Sequence, residues 1–112
     1  MAYELDGKTI EATENGYLVD ANDWTEDLIA VIAAADDLEL TERHIDVVKY
    51  LRDEHVNNAG NEPNERNILK AMGKLWGEKV SSKTMYEMFP GMPSKQGRKF
   101  AGLPQSTRKG GY

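Results

Sequence analysis

Thr41-Glu42-Arg43-His44-Ile45-Asp46-Val47-Val48-Lys49-Tyr50-Leu51-Arg52-Asp53-Glu54-His55-Val56-Asn57 is the longest stretch of this chain that keeps one period. Ile45, Val48 and the positions from Leu51 to Val56 recur at helical spacing, and Val47 and Tyr50 widen the stripe. Thr41 is a good N-cap, and Asn57-Asn58-Ala59-Gly60-Asn61 ends the pattern. The prediction is a helix over roughly 41–57, with shorter helices on both sides. Leu28, Ile29, Val31 and Ile32 predict one that ends near Ala35, and Asp23 with Glu26 has the spacing of a capping box. Pro63 suits a first helical turn, and Ile68, Leu69, Met72, Leu75 and Trp76 form a third amphipathic helix ending at Gly77. Ser82 is the expected cap of a fourth, carrying Met85, Met88 and Phe89. Pro90 and Pro93 bracket a turn before a short fifth helix over 93–101, with Gly102 as its C-cap.

The N-terminus follows a different rule. Tyr3-Glu4-Leu5 and Lys8-Thr9-Ile10 flank Asp6-Gly7, a strong signal for a two-residue type I′ hairpin. Asn15-Gly16 gives a second turn before a further short strand at Tyr17-Leu18-Val19. Two or three short strands cannot stand alone, so they must lie on the helices. The expected fold is mainly α: a compact helical bundle with a small N-terminal β-hairpin and a flexible C-terminal arm. One domain is expected over 1–103, with a hairpin region at 1–20 and a helical body at 23–102. Residues 104–112, with Gly110-Gly111 and few core-forming side chains, are expected to be a mobile arm.

Composition narrows the chemistry. The 112 residues are 39% hydrophobic and 29% charged, which suits a small globular domain. They contain no cysteine, which removes disulfides, thiolate metal sites and cysteine nucleophiles together. With no long apolar run and no signal-peptide pattern at Met1-Ala2-Tyr3-Glu4, the expected location is the cytoplasm, away from membranes. The net charge of −5 is unevenly spread: residues 1–60 hold 15 acids and 4 bases, and residues 61–112 hold 4 acids and 10 bases. Such asymmetry points to an oriented partner or to an internal dipole.

No residue constellation demands an enzyme, and no catalytic residue, metal or cofactor is expected. His44 and His55 are about 16 Å apart along one helix, too far to share a metal, and read as ordinary surface or half-buried histidines. Asp36-Asp37 with Glu39 lacks the alternating ligands and central glycine of a calcium loop and reads as a solvated turn. Trp24, Trp76 and the five methionines read as core. Arg66, Lys70 and Lys74 form an i, i+4 row, a basic face suited to phosphates in a helix-turn-helix-like arrangement. The connecting loop is long for that motif and the pI near 5.0 opposes it, which leaves nucleic acid as the alternative partner.

A more specific pattern runs through the chain. Asp6-Gly7, Gly16-Tyr17-Leu18 and Asp23-Trp24 open it, and Leu38-Glu39-Leu40-Thr41-Glu42-Arg43-His44 leads into Tyr50-Leu51-Arg52. Pro63 with Arg66, Leu69-Lys70-Ala71-Met72-Gly73-Lys74, Met88-Phe89-Pro90, Pro93-Ser94-Lys95-Gln96 and Phe100-Ala101-Gly102-Leu103-Pro104 follow in order. Together these blocks resemble the DsrC/TusE family of sulfur-relay proteins, which includes the gamma subunit of dissimilatory sulfite reductase. The resemblance implies a helical fold with a mobile C-terminal arm whose cysteines carry sulfur as a persulfide or trisulfide. DsrC-type members have two arm cysteines, eleven residues apart. TusE-type members keep the near-terminal one and serve the thiolation of a tRNA wobble uridine.

At this point the chain departs from the pattern. Aligned on Ala101-Gly102-Leu103-Pro104, the upstream cysteine position falls on Arg98, and the near-terminal one falls on Lys109 or, counted as penultimate, on Gly111. None of these can form a persulfide. The expected function is therefore a non-catalytic interaction or regulatory relative that docks on a sulfite-reductase or sulfur-relay protein. Lys95, Arg98, Lys99, Phe100, Arg108, Lys109 and Tyr112 are the expected partner-binding residues, with Phe100 and Tyr112 as apolar anchors. A nucleic-acid regulator and a relay protein for tRNA 2-thiouridine synthesis are the alternatives.

Overall fold

The computed structural model describes residues 1–105. Strands β1 (Ala2–Leu5) and β2 (Lys8–Glu11) pair antiparallel with Leu5 opposite Lys8 and Tyr3 opposite Ile10. Asp6 (φ 51°) and Gly7 (φ 80°) both take the left-handed conformation that a type I′ turn requires. The hairpin therefore has its expected register, with Tyr3 and Ile10 on the buried side. The expected third strand is reduced to a single bridge between Ala12 and Leu18, because Thr13 N–H donates to Tyr17 O across a tight loop at Asn15-Gly16.

Among the described residues five α-helices follow: α1 (Leu28–Ala35), α2 (Glu42–Asn57), α3 (Glu65–Trp76), α4 (Ser82–Met88) and α5 (Pro93–Phe100). The mainly helical fold with an N-terminal hairpin is as the sequence predicts. Several helix starts are not. Asp23 lies in a 3-10 turn (Ala21–Asp23) capped by Asp20, and Asp27 precedes α1 with no side-chain cap, so the Asp23–Glu26 box does not form. Pro63 lies before the cap of α3, where Asn64 and Asn67 form a reciprocal box. Ser81, one residue earlier than expected, caps α4.

Thr41 does cap α2, and His44 closes its box. His44 Nδ1 accepts from Thr41 N–H at 3.1 Å, which leaves Nε2 as the donor to Met88 O at 2.8 Å. The ring is buried, so this histidine joins the start of α2 to the end of α4 rather than facing solvent. The two tryptophans are half-buried rather than core: Arg52 stacks on Trp24 at 4.2 Å and Arg43 on Trp76 at 4.3 Å.

The core is built from Leu28, Ile29 and Ile32 of α1, Val47, Val48 and Leu51 of α2, Ile68 and Met72 of α3, and Met85 and Phe89 around α4. Helix α5 lies at the centre of this arrangement and packs against each of the other four helices. Among the described residues no helix is long and apolar enough to cross a membrane.

Candidate functional site

The candidate site is α5 together with Ala101–Gln105, where the expected arm leaves the body. Pro93 starts α5 at a position that tolerates proline. The next N–H, on Ser94, donates 2.7 Å to Oε1 of the buried Glu65 on α3. A carboxylate at a helix N-terminus is favoured by the helix dipole and by the free N–H groups there. Gly97 then allows close approach to α2: a Cβ there would lie 2.5 Å from Leu51 Cδ1.

The other end of α5 closes in a Schellman motif. Gly102 N–H donates to Lys99 O and Leu103 N–H to Arg98 O, with Gly102 at φ 68° and Leu103 fully buried. Side chains then take up the carbonyls of the exit segment. Trp24 Nε1 donates to Phe100 O (2.9 Å), and Arg52 donates to Ala101 O (2.6 Å) and Ala21 O (3.0 Å). Arg98 donates through Nε (3.0 Å) and Nη2 (2.7 Å) to Pro104 O, and Asn15 Nδ2 reaches Gln105 Oε1 at 3.1 Å. Hydrogen bonds from a guanidinium are roughly twice as strong as neutral ones, so the exit direction of the chain is closely specified.

The opposite rim comes from the hairpin region and α1. Tyr17 Oη donates to Lys95 O and Tyr3 Oη to Gly16 O. Asp36 Oδ2 takes both Lys99 Nζ (2.6 Å) and Gln96 Nε2 (3.1 Å), which corrects the reading of Asp36 as part of a solvated turn. Burial, reinforced by Asp36, pushes the Tyr3 hydroxyl up to about 12. Burial also raises Tyr17, against a lowering influence from Arg98. A tyrosine whose folded pKa is raised contributes stability that is complete below its unfolded pKa near 10 and is lost as the pH climbs to about 12. Denaturant melts between pH 9 and 12 are expected to show this loss, with a shallower slope in Tyr3→Phe. Equal slopes for the two proteins would count against it.

The structure redistributes the expected site residues. Arg66, Lys70 and Lys74 are exposed in a row on α3. Lys95 and Lys99 are half-buried, and Lys99 is held by Asp36. Arg98 is 5% exposed and Phe100 fully buried, so neither is available as a docking residue in this conformation. The reason is that α5 is packed against all four other helices, which covers Arg98 and Phe100 although they lie on different sides of it. Arg108, Lys109, Gly111 and Tyr112 lie outside the described residues. Arg52, Glu65 and Tyr17 act at the site with no role predicted for them, and Trp24, expected in the core, acts there as well. Asp23-Trp24, Tyr50-Leu51-Arg52 and Gly16-Tyr17 stood among the resemblance blocks, but only the fold shows that they converge on the exit segment. Among the described residues, no group of three or more His, Asp or Glu side chains is placed to hold a metal ion.

Comparison with known proteins matches residues 4–108 to the DsrC-like protein family. The chain belongs to that family. Its DsrC-like relatives include the sulfurtransferase TusE of Pectobacterium atrosepticum, 38% identical over 106 residues (94% of this chain and 96% of that protein). TusE of Escherichia coli strain K12 is 38% identical over 105 residues, covering 93% and 95% of the two chains. Among DsrC-like solved structures, DsrC of Allochromatium vinosum has a TM-score of 0.84 at 41% identity, covering 96% of this chain and 98% of that one. The oxidized gamma-subunit of the dissimilatory sulfite reductase from Archaeoglobus fulgidus has a TM-score of 0.88 at 29% identity, with the same coverage.

Proposed function

We propose that this DsrC-like chain is a sulfur-relay interaction protein that docks on a relay or sulfite-reductase partner and transfers no sulfur itself. The observation that carries the reading is at position 98. Where the resemblance aligns the upstream arm cysteine, a buried guanidinium is bonded to Pro104 O, and the 112 residues contain no cysteine elsewhere. Sulfane transfer needs a thiolate to attack the outer sulfur of a donor persulfide. No side chain of this chain supplies one. The names of the relatives, sulfurtransferase TusE and DsrC of dissimilatory sulfite reductase, support the sulfur-relay or sulfite-reductase setting. Nothing in the comparisons supports the nucleic-acid regulator.

Two measurements test the reading. After incubation with a persulfide donor and removal of excess reagent, the intact mass is expected to be unchanged, whereas Lys109→Cys gains about 32 Da, one sulfur atom. In that variant the new thiolate bonds to the outer sulfur, the donor S–S bond breaks, and the donor leaves as its thiolate. A stable adduct on the unmodified chain would end the non-carrier reading. In the second measurement, the chain is expected to compete with a cysteine-bearing relative for the relay or reductase complex of the same organism. Failure to compete would remove the docking role.

A further inference from the structure

The cations of this molecule are treated in two ways. Arg43 pairs with Glu78, Lys49 with Glu26 and Lys99 with Asp36, while Arg52 and Arg98 are spent on backbone carbonyls. By contrast, Arg66, Lys70 and Lys74 stand exposed on α3, one per turn, with no ion pair among the described residues. At 1.5 Å per residue the row is straight and about 12 Å long. A mixed depression that includes Leu69 and Tyr86 adjoins it, and so does an exposed leucine. The depression, toward α4 and of about 230 Å³, is lined by Glu65, Arg66, Leu69, Ser82 and Tyr86. At the C-terminal end of the row, Leu75 is 61% exposed, among the most exposed large hydrophobic side chains of the protein.

We infer that the α3–α4 face is a docking surface for an acidic amphipathic helix of a protein partner. This rests on the reading that the chain works by docking, and it names where. Carboxylates one turn apart on a helix repeat at the same spacing as Arg66, Lys70 and Lys74, so a helix laid along α3 meets all three. One apolar side chain of that helix enters the depression beside Leu69 and Tyr86. The apolar component favours a protein over a nucleic acid, since a sugar–phosphate backbone offers no counterpart to Leu75 or to the depression. Exposed ion pairs steer and orient the encounter, and the apolar contact supplies most of the affinity. Glu65, which lines the depression, also holds Ser94 N–H, so the Ser94 amide reports occupancy.

The test uses the full chain, ¹⁵N-labelled, and a synthetic helical peptide of about five turns with Glu at i, i+4 and i+8 beside a leucine stripe. Chemical-shift changes are expected over 65–75, 82–86 and Ser94, with binding weakened about tenfold or more in the Arg66→Ala/Lys70→Ala/Lys74→Ala variant. These side chains are exposed, so the variant is expected to keep its melting temperature. Leu69→Ser is expected to weaken binding while leaving the salt dependence unchanged. Equal binding of a peptide with Gln in place of Glu, or shifts centred elsewhere, overturns the inference. Tighter binding of duplex DNA at about 0.15 M salt, lost in the triple variant, replaces the partner class with nucleic acid. Loss of peptide binding with competition for the relay complex intact rejects this face alone. The reverse result rejects the docking role and leaves the face standing.

Discussion

Arg98→Ala is expected to lower the unfolding free energy by about 3 kcal/mol, a loss composed of two guanidinium hydrogen bonds and the packing of a buried side chain. The bonds are those to Pro104 O, and the side chain is 5% exposed. Relief of the desolvation cost of a buried charge offsets part of the loss, which keeps the figure below that of a large apolar truncation. Arg98→Met separates the two contributions. It fills most of the volume and carries no charge, so its melting temperature is expected to fall less, while residues 103–105 gain backbone mobility by NMR. A melting temperature for Arg98→Ala within about 1 °C of the parent would show that the guanidinium does not hold the exit segment.

Gly102→Ala is expected to cost about 2–5 kcal/mol, the second large effect, and it has an internal control. Gly102 and Gly77 share φ 68°. At Gly77 a Cβ meets nothing within 4 Å, so Gly77→Ala measures only the strain of a left-handed L-residue, about 1–2 kcal/mol. At Gly102 the same Cβ would lie 2.5 Å from Trp24 Cδ1 and 2.7 Å from Trp24 Cβ. Trp24 has little freedom to retreat, because its Nε1 is bonded to Phe100 O and Arg52 covers its ring. The excess of Gly102→Ala over Gly77→Ala in denaturant melts is therefore the overpacking term. Equal losses at the two glycines would mean that Trp24 moves aside freely.

Much of the architecture is local, and that part was legible. Asp6-Gly7 needs two positive φ angles and nothing distant, and Thr41 with the 3.6-residue stripe specifies α2 from within. Helix starts were less legible because several polar residues compete for one cap. Asp20 takes the 3-10 turn ahead of Asp23, and Asn64 displaces Pro63 from the first turn. The site was legible only as a set of sequence blocks. Arg98, Lys99 and Phe100 look like a basic surface with an aromatic anchor. Whether a short helix shows those side chains or hides them depends on what packs around it, and the nearest neighbour at Gly97 is Leu51, 46 residues earlier. Arg52 is likewise 49 residues from the Ala101 carbonyl it holds.

The enclosure of position 98 also has a kinetic meaning. With Arg98 in place, a reagent from solvent reaches this position only while the exit segment is detached from the body. If detachment costs about 3 kcal/mol, the position is open for roughly one part in 150 of the time, and its apparent reactivity is slowed by the same factor. A cysteine placed there by Arg98→Cys would lose the guanidinium bonds that impose this delay. The residue that removes the chemistry from position 98 is thus also the one that keeps the position shut.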